Sequence, residues 1–282
     1  MDVCTPLKCI STPTDLALLD KKIKSLFSDL LLKFDPISLK EMDKVQLMNR
    51  VDTKFLIGLN QLSVVLQQAV EHYRVVEIDG ERISPYSSIY FDTDDAEMYT
   101  MHHNGKLTRC KIRMRSYVNS GDSFLEIKTK NNKGMTSKGR IKIDKKQFSS
   151  MELNDVENIF IKKKTPYKSS VLKPQIQNFF QRITLVDKNE TERVTLDIGL
   201  MYKDLNTQVM KSVDGLVIVE MKQDGATKSH FRDYLNELHV LPGSMSKYCL
   251  GMTLLKPHVK NNRFKNKLRK INKITEKNHV TI

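Results

Sequence analysis

Between residues 109 and 115, Arg109, Lys111, Arg113 and Arg115 alternate with Cys110, Ile112 and Met114. A β-strand has a side-chain period of two, so this stretch predicts a strand with four cations on one face and apolar residues on the other. The pattern recurs. Arg50, Asp52 and Lys54 alternate in 50–55. Glu126, Lys128 and Lys130 oppose Leu125 and Ile127, while Lys138, Arg140 and Lys142 oppose Ile141 and Ile143. Arg193, Thr195 and Asp197 oppose Val194, Leu196 and Ile198, and Glu220, Lys222 and Asp224 oppose Val219 and Met221. Strands are expected at 50–57, 86–93, 108–117, 123–130, 138–143, 192–198 and 216–223, with short polar turns such as GDS and NNKGMTS favouring antiparallel neighbours.

Helical spacing of Leu16, Leu19, Ile23, Leu26, Phe27, Leu30 and Leu31 predicts an amphipathic helix over 14–34, ending before Pro36. Further helices are expected at 59–75, near 150–163, at 174–182 and at 227–238. The fold class is α+β, with a mostly antiparallel sheet carrying helices.

One strand with an ionic face reads equally well as a solvent-facing edge protected by lysine. Six of them, each with an apolar opposite face, fit a closed sheet better. An antiparallel eight-stranded barrel would turn the charged positions into its lumen and leave the apolar positions to be covered by helices outside. Buried like charges must neutralise or find partners. A phosphate chain supplies the anions: arginine grips phosphate bidentately and lysine acts as a point charge. Glu220 and Glu126, isolated among these cations, are candidates to hold a divalent cation that bridges phosphate oxygens.

Charge strengthens the picture. The 282-residue chain carries a formal net charge of +14, which points to a polyanionic partner. More than half of it lies after residue 255, where Lys256, Lys260, Arg263, Lys265, Lys267, Arg269, Lys270, Lys273 and Lys277 face one acid, Glu276. The organisation expected is an amphipathic helical segment over 1–39, a tunnel domain over 40–255 and a basic tail over 256–282 that could touch an anionic membrane surface.

Other chemistry is poorly supported. Cys4, Cys9, Cys110 and Cys249 show neither CxxC nor zinc spacing, and Cys110 and Cys249 read as small core residues. GMTSKGRI has the glycine spacing of a phosphate-binding loop, but Arg140 and Ile141 stand where Lys and Ser/Thr belong. His102 and His103 are expected at a solvent-facing turn. Aromatic residues do not interleave with the basic strands as stacking on nucleic acid requires. No apolar run reaches the roughly 18 residues of a membrane span, and no signal peptide is evident, so a cytoplasmic protein is expected.

The blocks RVDTKF (50–55), IYFDT (89–93), RCKIRMRSY (109–117), FLEIKTK (124–130), SKGRIKI (137–143), RVTLDIGL (193–200), VIVEMK (217–222) and SMSKYCLG (244–251) together resemble a VTC domain, the polyphosphate polymerase module of the triphosphate tunnel metalloenzyme superfamily. The resemblance covers about 40–255. It implies an eight-stranded tunnel that transfers the γ-phosphate of ATP to a growing inorganic polyphosphate chain, with Mn²⁺ or Mg²⁺. Carried over by position, Lys247, Arg193, Lys54 and Glu220 would be catalytic. Arg50, Arg109, Lys111, Arg113, Arg115, Lys128, Lys138, Arg140, Lys222 and Ser246 would hold phosphate. The metal would fall to Glu220, with Glu126 a candidate on the strand pattern alone. The superfamily's hydrolase branch opens with an ExExK strand; Arg50, Asp52 and Lys54 stand there instead, which favours the polymerase branch. Without an SPX-like domain or membrane segments, the chain resembles a stand-alone prokaryotic form, either free in the cytoplasm or peripheral at the inner membrane face. The rival readings are a tunnel triphosphatase that hands phosphate to water and a non-catalytic polyanion binder.

Overall fold

A computed structural model describes residues 13–45, 50–225 and 228–277. Its strands are β1 (Asp35–Ser38), β2 (Arg50–Gly58), β3 (Tyr73–Glu77), β4 (Ser84–Asp92), β5 (Arg109–Tyr117), β6 (Ser123–Lys130), β7 (Thr136–Ile143), β8 (Lys173–Asp187), β9 (Glu192–Asp204), β10 (Met210–Val213) and β11 (Leu216–Asp224). The helices are α1 (Pro13–Leu31), α2 (Leu39–Lys44), α3 (Leu59–Ala69), α4 (Glu97–His103), α5 (Lys145–Ser150), α6 (Asp155–Lys164), α7 (His230–Glu237), α8 (Lys247–Leu255) and α9 (Lys265–Lys277). Eight strands run in the order β2-β11-β9-β8-β4-β5-β6-β7, every neighbouring pair antiparallel. The α+β class and the eight-stranded antiparallel core stand as expected.

The barrel, however, is not closed: among the described residues no ladder joins β7 to β2. A competing partner takes the free edge of β2. Gly243, in the segment leading to α8, donates its N–H to the carbonyl of Lys54 at 2.8 Å.

The apolar faces turn outward under helices. Phe55, Ile57, Leu196, Ile198, Val217 and Val219 pack against Phe27 and Leu31 of α1, Leu62, Val65 and Leu66 of α3, and Phe231 and Leu235 of α7. Ile112, Met114, Leu125 and Ile127 pack with Met98 of α4 and Ile161 of α6. Each such side chain contributes about 1.5–3 kcal/mol by leaving water, so the cover fixes which face of every strand looks inward. Cys110 and Cys249 are buried, as their neighbours suggested; Cys4 and Cys9 lie outside the described residues.

Several expectations about elements need correction. Residues 174–182 are not a helix but the start of β8, which pairs with β4, β9 and β3; these ladders override the ambiguous spacing of its apolar residues. The helix at 59–75 stops at Ala69, because β-branched residues in Tyr73–Glu77 join β1 and β8 instead. The helix near 150–163 starts later than expected, at Asp155, and a separate short helix ends at Ser150. Met151 adopts positive φ, and Asn154 starts α6 by accepting from the N–H groups of Val156 and Glu157. His102 and His103 form the last turn of α4, not an open turn, and His103 is buried. Asp92 organises that helix by accepting from the N–H groups of Met98 and Tyr99, both at 2.9 Å.

Helix α8 plugs one end of the lumen. Its Tyr248, Cys249, Leu250 and Met252 pack with Leu56, Ile176, Phe180, Tyr202 and Ile218, residues of β2, β8, β9 and β11. Contact is closest at Gly251, where an added Cβ would fall 2.5 Å from both Ile176 Cδ1 and Tyr202 Cδ1. Gly251→Ala is therefore expected to destabilise the protein by about 1–3 kcal/mol in urea unfolding, the usual cost of overpacking. An unchanged midpoint would mean that α8 is not seated against β8 and β9.

The candidate phosphate site

Register sorts the charged positions into rungs across the sheet. On one wall Asp52, Lys222 and Arg193 are cross-strand neighbours, followed by Lys54, Glu220 and Thr195. On the opposite wall Arg113, Glu126 and Arg140 form one rung, and Lys111, Lys128 and Lys138 the next. Glu126 thus stands between two arginines, and Glu220 beside Lys54 on the next strand and Lys222 on its own. Lys54 Nζ lies 2.8 Å from Glu220 Oε2, with Lys222 at 4.0 Å, and Arg113 reaches Glu126 Oε2 at 2.6 Å. Burial resists the charge on both glutamates, but the neighbouring cations win and hold them below the ordinary carboxylate range. The walls face one another, since Lys128 of β6 feels Glu220 and Lys54 across the lumen.

The buried focus of the lumen was not evident from sequence. Asp197, 2% exposed, accepts from Arg182 Nε at 2.6 Å and Arg182 Nη2 at 2.9 Å, and from Lys247 Nζ. Two cations therefore share one anion. Arg182 and Lys247 lie against the rings of Tyr86 and Phe180: Arg182 Cζ is 4.9 Å from the Tyr86 centroid, and Lys247 Nζ is 4.5 Å from that of Phe180. Arg115 joins them, 5.6 Å from the Tyr86 centroid, and donates to Ser88 Oγ at 3.2 Å. The cluster keeps a surplus positive charge in a poorly solvated place, and a bound phosphate would neutralise it.

The remaining predicted residues are spread along the walls. Arg193 is lowered by burial and by the charge of Arg50, while Glu220 and Asp43 support it. Arg50 is committed to Asp52 at 2.7 Å. Ser246 caps α8, accepting from the Cys249 N–H, and receives Lys111 Nζ at 2.8 Å. Arg140 lies 4.8 Å from the Phe124 centroid, while Lys128 and Lys138 are exposed near the unpaired edge of β7. Arg109 turns back to the Lys106 carbonyl. Sequence reasoning missed Arg182, hidden in the segment assigned to a helix. Its signal was there: Asn178, Phe180, Arg182 and Thr184 alternate with Ile183 and Leu185 once the run is read at period two.

Four lysines are depressed, Lys128 among them through burial and the charge of Lys138. Burial brings Lys111, Lys222 and Lys247 down to about 8, and neighbouring cations add to the effect although Asp197 opposes it at Lys247 and Glu220 at Lys222. Affinity for tripolyphosphate is expected to fall as pH rises through about 8, where these lysines lose their charge. The ligand's own negative charge only grows over that range, so the loss must come from the protein. Stability of the free protein runs the other way. The folded state sheds these protons before the unfolded chain does, so stability rises with pH from about 8 towards the ordinary lysine value. Calorimetric titration at several pH values checks the first; affinity that stays flat or rises above pH 8 would refute it.

The donors bear on the metal. Among the described residues no three His, Cys, Asp or Glu converge. Glu126 is held by Arg113, whereas Glu220 is partly exposed and is paired closely with Lys54 and only loosely with Lys222. A single carboxylate facing a phosphate site suits Mg²⁺ or Mn²⁺, which take most of their remaining ligands from phosphate oxygens and water. The residues fit a cation that arrives with its phosphates.

The antiparallel eight-stranded core is jacketed by helices and carries its charged side chains on the inner face. The chain belongs to the VTC domain family, whose model matches residues 49–256. Similar solved structures include a candidate adenylate cyclase from Bacillus halodurans (14% identity, 77% of this chain and 100% of that chain covered, TM-score 0.46). A candidate adenylyl cyclase from Hippeastrum, described as having a dominant triphosphatase activity, shows 11% identity over 72% and 95% of the two chains, with TM-score 0.46. The PH1819 protein of Pyrococcus horikoshii shows 12% identity over 73% and 99%, with TM-score 0.38. No curated protein matches the chain. No helix among the described residues is long and apolar enough to cross a membrane.

Proposed function

We propose that this protein is a polyphosphate polymerase that transfers the γ-phosphate of ATP to a growing inorganic polyphosphate chain. The observation that carries this reading is the surplus of buried positive charge at Arg182, Asp197 and Lys247, at the head of two facing cationic walls. Phosphoryl transfer needs in-line positioning and neutralisation of charge more than covalent help. Lys247 and Arg182 are placed to hold the phosphate undergoing transfer, with Arg115 beside them. Arg113, Arg140, Lys54, Lys222 and Arg193 are available for the flanking phosphates. A terminal oxygen of the acceptor chain attacks the γ-phosphorus as the bond to the β,γ-bridging oxygen breaks, and ADP leaves. Mn²⁺ or Mg²⁺, held by Glu220 and phosphate oxygens, would withdraw charge from the phosphate being transferred.

The polymerase reading over a hydrolase rests on β2. Its one acid in the lumen-facing series, Asp52, is spent on Arg50, which leaves Lys54 opposite Glu220. The lumen is furnished to hold phosphate more than to gather metal ions.

The test is incubation with ATP and Mn²⁺, with and without a trace of pyrophosphate, followed by a polyphosphate-staining gel beside a free-phosphate assay. A ladder of long chains that vanishes in Lys247→Ala and in Glu220→Gln is expected. Free phosphate without a ladder would identify a triphosphatase. Neither product, with tight salt-sensitive binding that survives Glu220→Gln, would identify a polyanion-binding module.

A further inference from the structure

Both ionic series of the β5–β6 hairpin end in an aromatic residue. On β5 the inward positions Arg109, Lys111, Arg113 and Arg115 continue to Tyr117, and on β6 Phe124 precedes Glu126 and Lys128. Cross-strand register joins them to a wider row: Phe124 is opposite Arg115, Tyr117 opposite Tyr86 of β4, and Tyr86 opposite Phe180 of β8. The four rings touch in succession. Tyr86 lies 5.1 Å from Phe180 and 5.0 Å from Tyr117, and Tyr117 meets Phe124 at 5.8 Å with the ring planes at 90°.

Two of these rings are already committed. Phe180 is buried under the plug, and Arg182 and Arg115 lie over Tyr86. Tyr117 and Phe124 are only half-buried, at the end of the lumen away from the body of α8, where β5 turns into β6. Among the described residues neither packs into an apolar cluster, as the half-buried Ile141 and Phe148 do. Arg140 covers one face of Phe124, whereas among the described residues no cation is seated on Tyr117. A polyphosphate chain is polar throughout and gains nothing from such rings. A planar base stacked on Tyr117 would meet Phe124 edge-to-face, and both contacts are favourable.

The position suits a base that arrives attached to phosphates. Arg115, Arg182 and Lys247 all lie within 6.0 Å of the Phe180 centroid, so the cations assigned to the transferred phosphate gather beside this row. Inward positions recur about every 7 Å along a strand, which sets Tyr117 one step beyond Arg115. Resting on the polymerase reading, we propose that Tyr117, flanked by Phe124, stacks the adenine base of the ATP whose γ-phosphate Arg115, Arg182 and Lys247 hold. One uncommitted ring takes a single base, not the run of bases of a nucleic acid strand. It offers area and no hydrogen-bond pattern, so the site favours purines over pyrimidines and separates ATP from GTP little.

The experiment measures binding of ATP, CTP and tripolyphosphate to the full chain in EDTA, so that metal-dependent turnover does not intervene. It compares the wild type with Tyr117→Leu and Tyr117→Phe, with equal thermal midpoints as the control for folding. The wild type is expected to bind ATP several-fold more tightly than CTP. Tyr117→Leu should weaken ATP about fivefold or more, as loss of one base–aromatic stack implies, and leave tripolyphosphate unchanged. Tyr117→Phe keeps the ring and should bind both ligands as the wild type does. Equal losses of ATP and tripolyphosphate in Tyr117→Leu would overturn the proposal and make the ring a support for the neighbouring arginines. So would no loss of ATP, or equal affinity of the wild type for ATP and CTP, a comparison that needs no variant. Binding needs no turnover, so the two readings fail separately. A protein that holds ATP through Tyr117 yet builds no chain sinks the polymerase, and one that builds chains while its ATP affinity ignores the ring sinks the base site.

Discussion

Asp197→Ala is expected to cost about 3–5 kcal/mol of stability, the range for removing one partner of a buried ion pair. The carboxylate is nearly inaccessible and serves two cations, so alanine would leave Arg182 and Lys247 side by side with no counter-ion. Lys247, already brought down to about 8, can release its proton; Arg182 cannot, and its charge carries most of the penalty. Tripolyphosphate should partly replace the lost anion. A ligand present at about a hundred times its dissociation constant stabilises by about 2.7 kcal/mol, and the gain should be larger in the variant than in the wild type. Urea unfolding with and without tripolyphosphate measures both quantities. A loss below about 1 kcal/mol, within the range of an exposed pair, would mean that the cluster is solvated and is not the focus of the lumen.

Glu220→Gln is expected to separate binding from turnover. The carboxylate stands 2.8 Å from Lys54 and 4.0 Å from Lys222, so the neutral amide frees two cations for phosphate. Without metal, tripolyphosphate should bind as well as to the wild type or more tightly. On the polymerase reading, turnover of ATP should fall about a hundredfold or more, because a bound cation would supply several kcal/mol of charge stabilisation at the transferring phosphate. Metal titration should show a weaker requirement that saturates at higher concentration. A variant that loses binding and turnover in equal measure would make Glu220 a structural counter-ion of Lys54 instead of a metal ligand.

The site was unevenly legible in the sequence. Lys54, Arg113, Glu220 and Lys222 could be read directly, because strand period and register are local: a charged face opposite an apolar one must point away from the core. Arg182 could not be read, because a segment with apolar residues at 176, 179, 180 and 183 satisfies helical and strand spacing alike. Its assignment to β8 depends on ladders with β4 and β9, which come from distant parts of the chain. Asp197 was visible as a member of an alternating strand, but its importance was not. That comes from Lys247, 50 positions away in sequence, reaching it from α8.

The basic C-terminal segment marks the same boundary from the other side. Its charge was plain, and a tail was the natural expectation; the spacing of Leu268, Ile271 and Ile274 becomes meaningful only once the plug helix offers them a surface. The sequence alone determined which faces of the strands are ionic, how strongly basic the chain is and which family it belongs to, because alternation, net charge and ordered motifs are properties of short stretches. Only the tertiary structure decided that the barrel stays open between β7 and β2, that α8 stoppers one end, and that Arg182, Asp197 and Lys247 meet. Each of these is a competition between long-range partners, such as Gly243 against β7 for the edge of β2, and the free energies that settle it exist only when the whole chain has folded.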